Sequence, residues 1–200
     1  MTDQQFVDRY LKAAAAGDIA TVEDCLAAGI DIDAVNRQRQ TAILLAATNQ
    51  HYDLVELLIA AGADIDRQDM TQLNPFLHGC IKNDLRLVRI MLRAGTDLDR
   101  TTRFGGVGIH PAAEKGYVEF VRELLHTDVN VNHTNWVGWT PLLEAIVLRD
   151  GGPDQQEIVR LLLEHGASPH MTDKYGKTPL ELAREFGFDE IAKILVAAGA

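Results

Sequence analysis

The sequence predicts an all-α solenoid of helix-turn-helix units joined by hairpin-like loops, and three observations predict it. The first is a fixed period. Aligned on residues 57–64 and 91–97, one column reads Gly29, Gly62, Gly95, Asp128, Gly166 and Gly199, at spacings of 33, 33, 33, 38 and 33. The second is an independent column, Thr41, Asn74, Val107, Thr140 and Thr178, with spacings of 33, 33, 33 and 38. Both columns slip by the same five residues in the same unit, so one insertion interrupts a regular array. The third is helical punctuation inside each period: a cap, an apolar stripe and a terminating glycine. A period near 33 residues holds two short helices that cannot bury their apolar faces alone, and stacked copies can. The period divides 1–200 into six units of a single domain, about 1–33, 34–66, 67–99, 100–132, 133–170 and 171–200.

Each element has a local reason. Residues 3–16 predict the first helix of an end cap, with Phe6, Tyr10 and Leu11 facing inward. In the repeated unit, Thr140-Pro141-Leu142 and Thr178-Pro179-Leu180 place a hydroxyl at the N-cap and proline at the first helical position, where its missing N–H costs nothing. Small residues such as Ala46-Ala47 and Ala112-Ala113 let the first helix pack closely. The second helix carries stripes such as Leu54, Val55, Leu57 and Leu58, or Ile158, Val159, Leu161 and Leu162. Gly62 and Gly166 then end it in the left-handed conformation. The connector Asp64-Ile65-Asp66-Arg67 is polar around one apolar plug. The last unit reads as a cap whose outer face carries Glu181, Arg184, Glu185, Asp189, Glu190 and Lys193.

This unit resembles the ankyrin repeat, with its turn, two helices and T-P-L-H-x-A signature. Thr140-Pro141-Leu142 and Thr178-Pro179-Leu180 match the first three signature positions, while Asn74-Pro75-Phe76-Leu77-His78 and Val107-Gly108-Ile109-His110 are degenerate. The resemblance covers essentially the whole chain, about six repeats with the terminal caps. It implies a structural, inter-repeat hydrogen-bonding role for a histidine in the His110 column. It also implies a non-enzymatic protein-interaction module that binds its partner in a concave groove and along the hairpin tips.

Composition agrees with a soluble domain. Nineteen Lys and Arg against 29 Asp and Glu give a net charge of −10, without the basic footprint of a nucleic-acid binder. The first eleven residues lack an apolar signal region, and no 18 apolar residues run together, so neither a leader nor a membrane span is expected. Cys25 and Cys80 form no CxxC, which suits a reducing cytoplasm, and as small apolar side chains they read as packing residues. The seven histidines, at 51, 78, 110, 126, 133, 165 and 170, have no metal-ligand spacing. No nucleophile, phosphate-loop or paired-carboxylate motif appears, so no cofactor, no metal and no catalytic residue is expected.

Two segments break the pattern. In unit four, 101–111 replaces the expected turn and helix start, and Pro111 would clash at the fourth helical position. The helix is therefore expected to start at Pro111, after a wider glycine-rich loop. That loop, with Arg103, is the alternative functional centre, for an anion, a small ligand or an enzymatic role. The insertion, 149–157, is expected to be a solvated surface loop between the helices of unit five.

Candidate partner-binding residues are read from the tips: Arg37 and Gln40, Met70 and Leu73, Arg103 and Phe104, Trp136 and Trp139, and Lys174 and Tyr175. With their neighbours Gln38, Thr71, Gly106, Val137 and Lys177 they hold four basic residues, no acidic one and both tryptophans. Aromatics, Met and Arg with few acids mark the core of a protein interface. The expected partner is another protein with an acidic or mixed surface, met by a monomer.

Overall fold

A computed structural model describes residues 3–200. Among them are twelve α-helices in six consecutive pairs: α1 (Asp3–Ala16) with α2 (Ile19–Ala27), α3 (Ala42–Thr48) with α4 (Tyr52–Ala60), α5 (Pro75–Lys82) with α6 (Leu85–Arg93), α7 (Ile109–Lys115) with α8 (Val118–Leu125), α9 (Pro141–Val147) with α10 (Pro153–Glu164), and α11 (Pro179–Glu185) with α12 (Asp189–Ala197). No strand forms among the described residues; one isolated antiparallel bridge pairs Val35 with Thr41. The chain divides into two compact halves, Met1–Asp97 and Leu98–Ala200, each built from three helix pairs. In the first, α3 packs between α1 and α5; in the second, α9 packs between α7 and α11, and α10 between α8 and α12.

The caps act as the sequence predicts, with one exception. Thr41, Asn74 and Thr140 accept from the amides of Leu44 (3.3 Å), Leu77 (2.8 Å) and Leu143 (3.3 Å). Thr178 and Glu181 close a reciprocal capping box. Val107 offers no oxygen, and α7 starts at Ile109 without a side-chain cap. The predicted helix start at Pro111 is therefore corrected by two residues. Pro111 is the third helical residue, within the first turn, where no intrahelical N–H bond is required of it.

The insertion also departs from expectation. Instead of a simple loop it lengthens α10 to 12 residues, against 8 for α8 and 9 for α12, with Pro153 at its start. Gln155 and Gly151 are buried, and a Cβ on Gly151 would lie 2.6 Å from Cγ of Phe188. The glycine column terminates α2, α4, α6, α10 and α12 at positive φ, whereas Asp128 is not left-handed. There α8 stops earlier, and the Thr127 hydroxyl donates to the Leu124 carbonyl (2.6 Å).

The core of each half is the inward stripe of its helices. Tyr10, Phe76, Leu54 and Leu58 are fully buried in the first half, as are Phe120, Leu124, Ile109 and Ile158 in the second. Each contributes about 2 kcal/mol of apolar burial. Tyr10 donates to the Ile32 carbonyl (3.0 Å), and burial pushes its phenol well above its ordinary range. Phe6 is only half-buried beside Tyr10 and Leu11. Cys25 and Cys80 are both buried and free. The six charged residues expected on the outer face of the last pair are all exposed.

Candidate functional site

Five hairpins precede the first helices of the second to sixth repeats, and one backbone scheme builds them all. The amides of Asn36, Asp69, Thr102, Asn135 and Asp173 donate to the carbonyls of Gln40, Leu73, Gly106, Trp139 and Lys177, at 2.9–3.1 Å. The fourth residue of each is left-handed: Arg39 (φ 61°), Gln72 (60°), Gly105 (79°), Gly138 (81°) and Gly176 (79°). The first residue's side chain holds the tip. Asn36, Asp69, Asn135 and Asp173 each accept two amide hydrogens from their own hairpin, and Thr102 accepts one from Phe104. These clamps escaped the sequence reading, although their spacings of 33, 33, 33 and 38 match the other two columns.

The hairpin 102–106 has the same closing bond as the rest, so the wider loop expected there is corrected. Gly105 to His110 are all buried, and a Cβ on Gly106 would lie 2.9 Å from Cγ of His110. The segment is filled by its own side chains and forms no open cradle. Arg103 instead lies over the Phe104 ring, 4.8 Å from its centroid.

The tips differ in what they present. In the first half, Arg37 is exposed and Gln40 half-buried on one tip, and Met70 is exposed and Leu73 half-buried on the next. The Met70 amide donates to the Gln38 carbonyl (2.9 Å), joining those two tips. In the second half, Phe104, Trp136 and Tyr175 are 64%, 73% and 74% exposed. The Trp136 amide donates to the Phe104 carbonyl (3.1 Å), and Lys174 lies over Tyr175 at 5.0 Å. Trp136 rests on Gly105, where an added Cβ would sit 2.2 Å from its Cδ1. Trp139 is different: it is half-buried and its indole nitrogen lies inside. Gly105→Ala therefore loses more stability in thermal unfolding than Gly176→Ala, whose new Cβ meets open space. The second variant loses about 1 kcal/mol from left-handed strain alone. Equal losses would mean that the indole does not rest on Gly105.

Behind the second-half tips lies a histidine and carboxyl framework. His110, 2% exposed, donates from Nε2 to the Trp139 carbonyl (3.2 Å). His133 donates from Nε2 to the Gly105 carbonyl (2.8 Å), and the two rings meet edge-on at 5.6 Å. Burial pushes the His110 imidazole down to about 4, leaving it neutral. Glu144, 8% exposed on α9, accepts from Asn135 Nδ2 (2.7 Å). Burial pushes its carboxyl up to about 7; the Asn135 bond opposes this, and the charge of Glu114 adds to it. Glu144 escaped the sequence reading, because its burial follows from how α9 packs and not from its residue type.

Among the described residues no group of three or more His, Cys, Asp or Glu could hold a metal ion. No helix among them is long and apolar enough to cross a membrane.

The sequence profile described as "Ankyrin repeats (3 copies)" matches residues 11–102, 76–173 and 109–200. The ankyrin repeat protein YahD of Escherichia coli (strain K12) is 65% identical over 192 residues, covering 96% of each chain. The crystal structure of an ankyrin repeat domain from Acinetobacter baumannii AYE superposes with a TM-score of 0.91 at 43% identity, covering 96% of this chain and 97% of that one. That of a further ankyrin repeat protein gives a TM-score of 0.87 at 34% identity, covering 95% and 97%. With its period, hairpins and paired helices accounted for residue by residue, the chain belongs to the ankyrin-repeat family.

Proposed function

We propose that the chain is a non-enzymatic interaction module of the reducing cytoplasm, acting as a monomer and capturing another protein on its hairpin tips. The observation that carries this reading is the run of exposed Phe104, Trp136 and Tyr175 on three successive tips of the second half. Trp, Tyr and Arg are the residues that dominate binding energy at interfaces, and hairpins held by side-chain clamps lose little freedom on association. Arg103 and Lys174 stand beside these rings with no acidic residue between them and the aromatics, so the favoured partner surface is acidic with apolar side chains. Arg37, Gln40, Met70 and Leu73 are assigned to the same role on the first half, and Trp139 closes the base of the Trp136 hairpin through its backbone bonds to Asn135.

Pull-down with immobilised protein tests the reading. The double variant Arg103→Glu/Lys174→Glu loses at least about tenfold in captured partner, because two attractions become repulsions. Its unfolding midpoint stays within about 2 °C, since both side chains are exposed. Undiminished capture by the double variant would overturn the assignment.

A further inference from the structure

We propose that Glu144 makes the Trp136 hairpin responsive to proton concentration, gripping it through Asn135 as a carboxylate and slackening it as a carboxylic acid. This rests on the reading of Trp136 as a contact residue and assigns a regulation to that site.

The geometry is specific to one hairpin. Asn135 Oδ1 accepts from the amides of Val137 and Trp139, both at 3.0 Å, which fixes the tip carrying Trp136. Its Nδ2 donates to Glu144 Oε1 at 2.7 Å, so the clamp is anchored in the buried wall of α9. The corresponding Asn36 donates instead to Gln40 of its own hairpin (2.9 Å), and Asp69, Thr102 and Asp173 have no amide to donate. A hydrogen bond to an ionised carboxyl is roughly twice as strong as one to a neutral carboxyl. Protonation thus weakens the anchor without removing it.

The carboxyl is placed to change charge in the neutral range: burial raises it most, the Asn135 bond lowers it, and the charge of Glu114 on α7 raises it further. Glu114 is itself paired with Arg149 (3.4 Å). The other titratable side chains of the framework are His110, held neutral by burial, and His133, two residues before the hairpin and bonded to the Gly105 carbonyl. Among the described residues, α10 and α11, the other helices packed on α9, bring no charge that shifts Glu144.

The test uses the full chain alone, so its failure leaves partner capture untouched, and failed capture leaves it standing. Amide hydrogen-exchange protection of Val137 and Trp139 is measured by NMR at about pH 5 and about pH 9, either side of the carboxyl's range. In the wild type, protection falls about fivefold at the lower pH, the factor separating a charged from a neutral hydrogen bond. In Glu144→Gln, which keeps the acceptor and cannot ionise, the two pH values give equal protection. Carboxyl 13C titration of Glu144 in the wild type supplies a second measurement, and its midpoint coincides with that of the hairpin amides. Unchanged wild-type protection, an equal fall in Glu144→Gln, or separated midpoints would each overturn the proposal.

Discussion

Glu144→Gln stabilises the protein by about 3 kcal/mol at about pH 8.5 and leaves it unchanged at about pH 4. The folded carboxyl sits at about 7 against 4.5 for an ordinary glutamate, because burial disfavours its charge. Between those values the unfolded chain has released a proton that the folded chain still holds. Stability present below 4.5 is therefore lost as pH rises through 7, at about 1.4 kcal/mol per unit. His110 runs the other way. Its folded value of about 4 lies below the ordinary 6.5, again through burial. Stability present above 6.5 is lost as pH falls through 4, by a similar amount. Between about 4.5 and about 6.5 the two slopes cancel, since one group retains a proton while the other refuses one. Each variant uncovers its counterpart. Relative to wild type, Glu144→Gln gains as pH rises, whereas His110→Gln, destabilised by losing the bond to the Trp139 carbonyl, recovers up to about 3 kcal/mol as pH falls to about 4. Urea midpoints at a series of pH values measure both differences. Curves that run parallel to the wild type would show that neither group titrates out of place.

Trp139→Ala costs about 3 kcal/mol, and Trp136→Ala less than about 1 kcal/mol. Both indoles belong to one hairpin, although Trp139 alone directly precedes the Thr-Pro signature. Trp139 has its indole nitrogen buried and its carbonyl bonded to His110, so truncation opens a void behind the tip. Trp136 is 73% exposed and meets Gly105 along one face, so truncation mainly removes contact area offered to a partner. Denaturant unfolding of the two variants, paired with pull-down, separates the roles: Trp136→Ala keeps its fold and loses capture. Equal stability losses would mean that Trp136 is a core residue.

Much of this was readable in advance, for a physical reason. A repeat places every capping oxygen, terminating glycine and apolar stripe at a fixed offset, so Thr41, Thr140 and Thr178 declare their helix starts and Gly62 and Gly166 the helix ends. Where the column lapses, local rules give two answers. Val107 offers no cap, and the start of α7 falls at Ile109 because the hairpin before it closes in the same register as its neighbours. Likewise 149–157 reads as a loop from its Gly and Asp, yet Phe188 over Gly151 and the buried Gln155 draw part of it into α10.

The sequence by itself determined the period, the helix pairs, the cap chemistry and the aromatic, cationic character of the tips, because each depends on neighbours a few residues away or one repeat apart. Tertiary structure alone decided that Trp139 turns inward while Trp136 turns outward, and that Glu144 is buried against Asn135. It also decided that the glycines of 105–108 are packed rather than open. Each of these depends on which side chains from adjacent repeats fill the same space, and desolvation follows from that packing rather than from residue type.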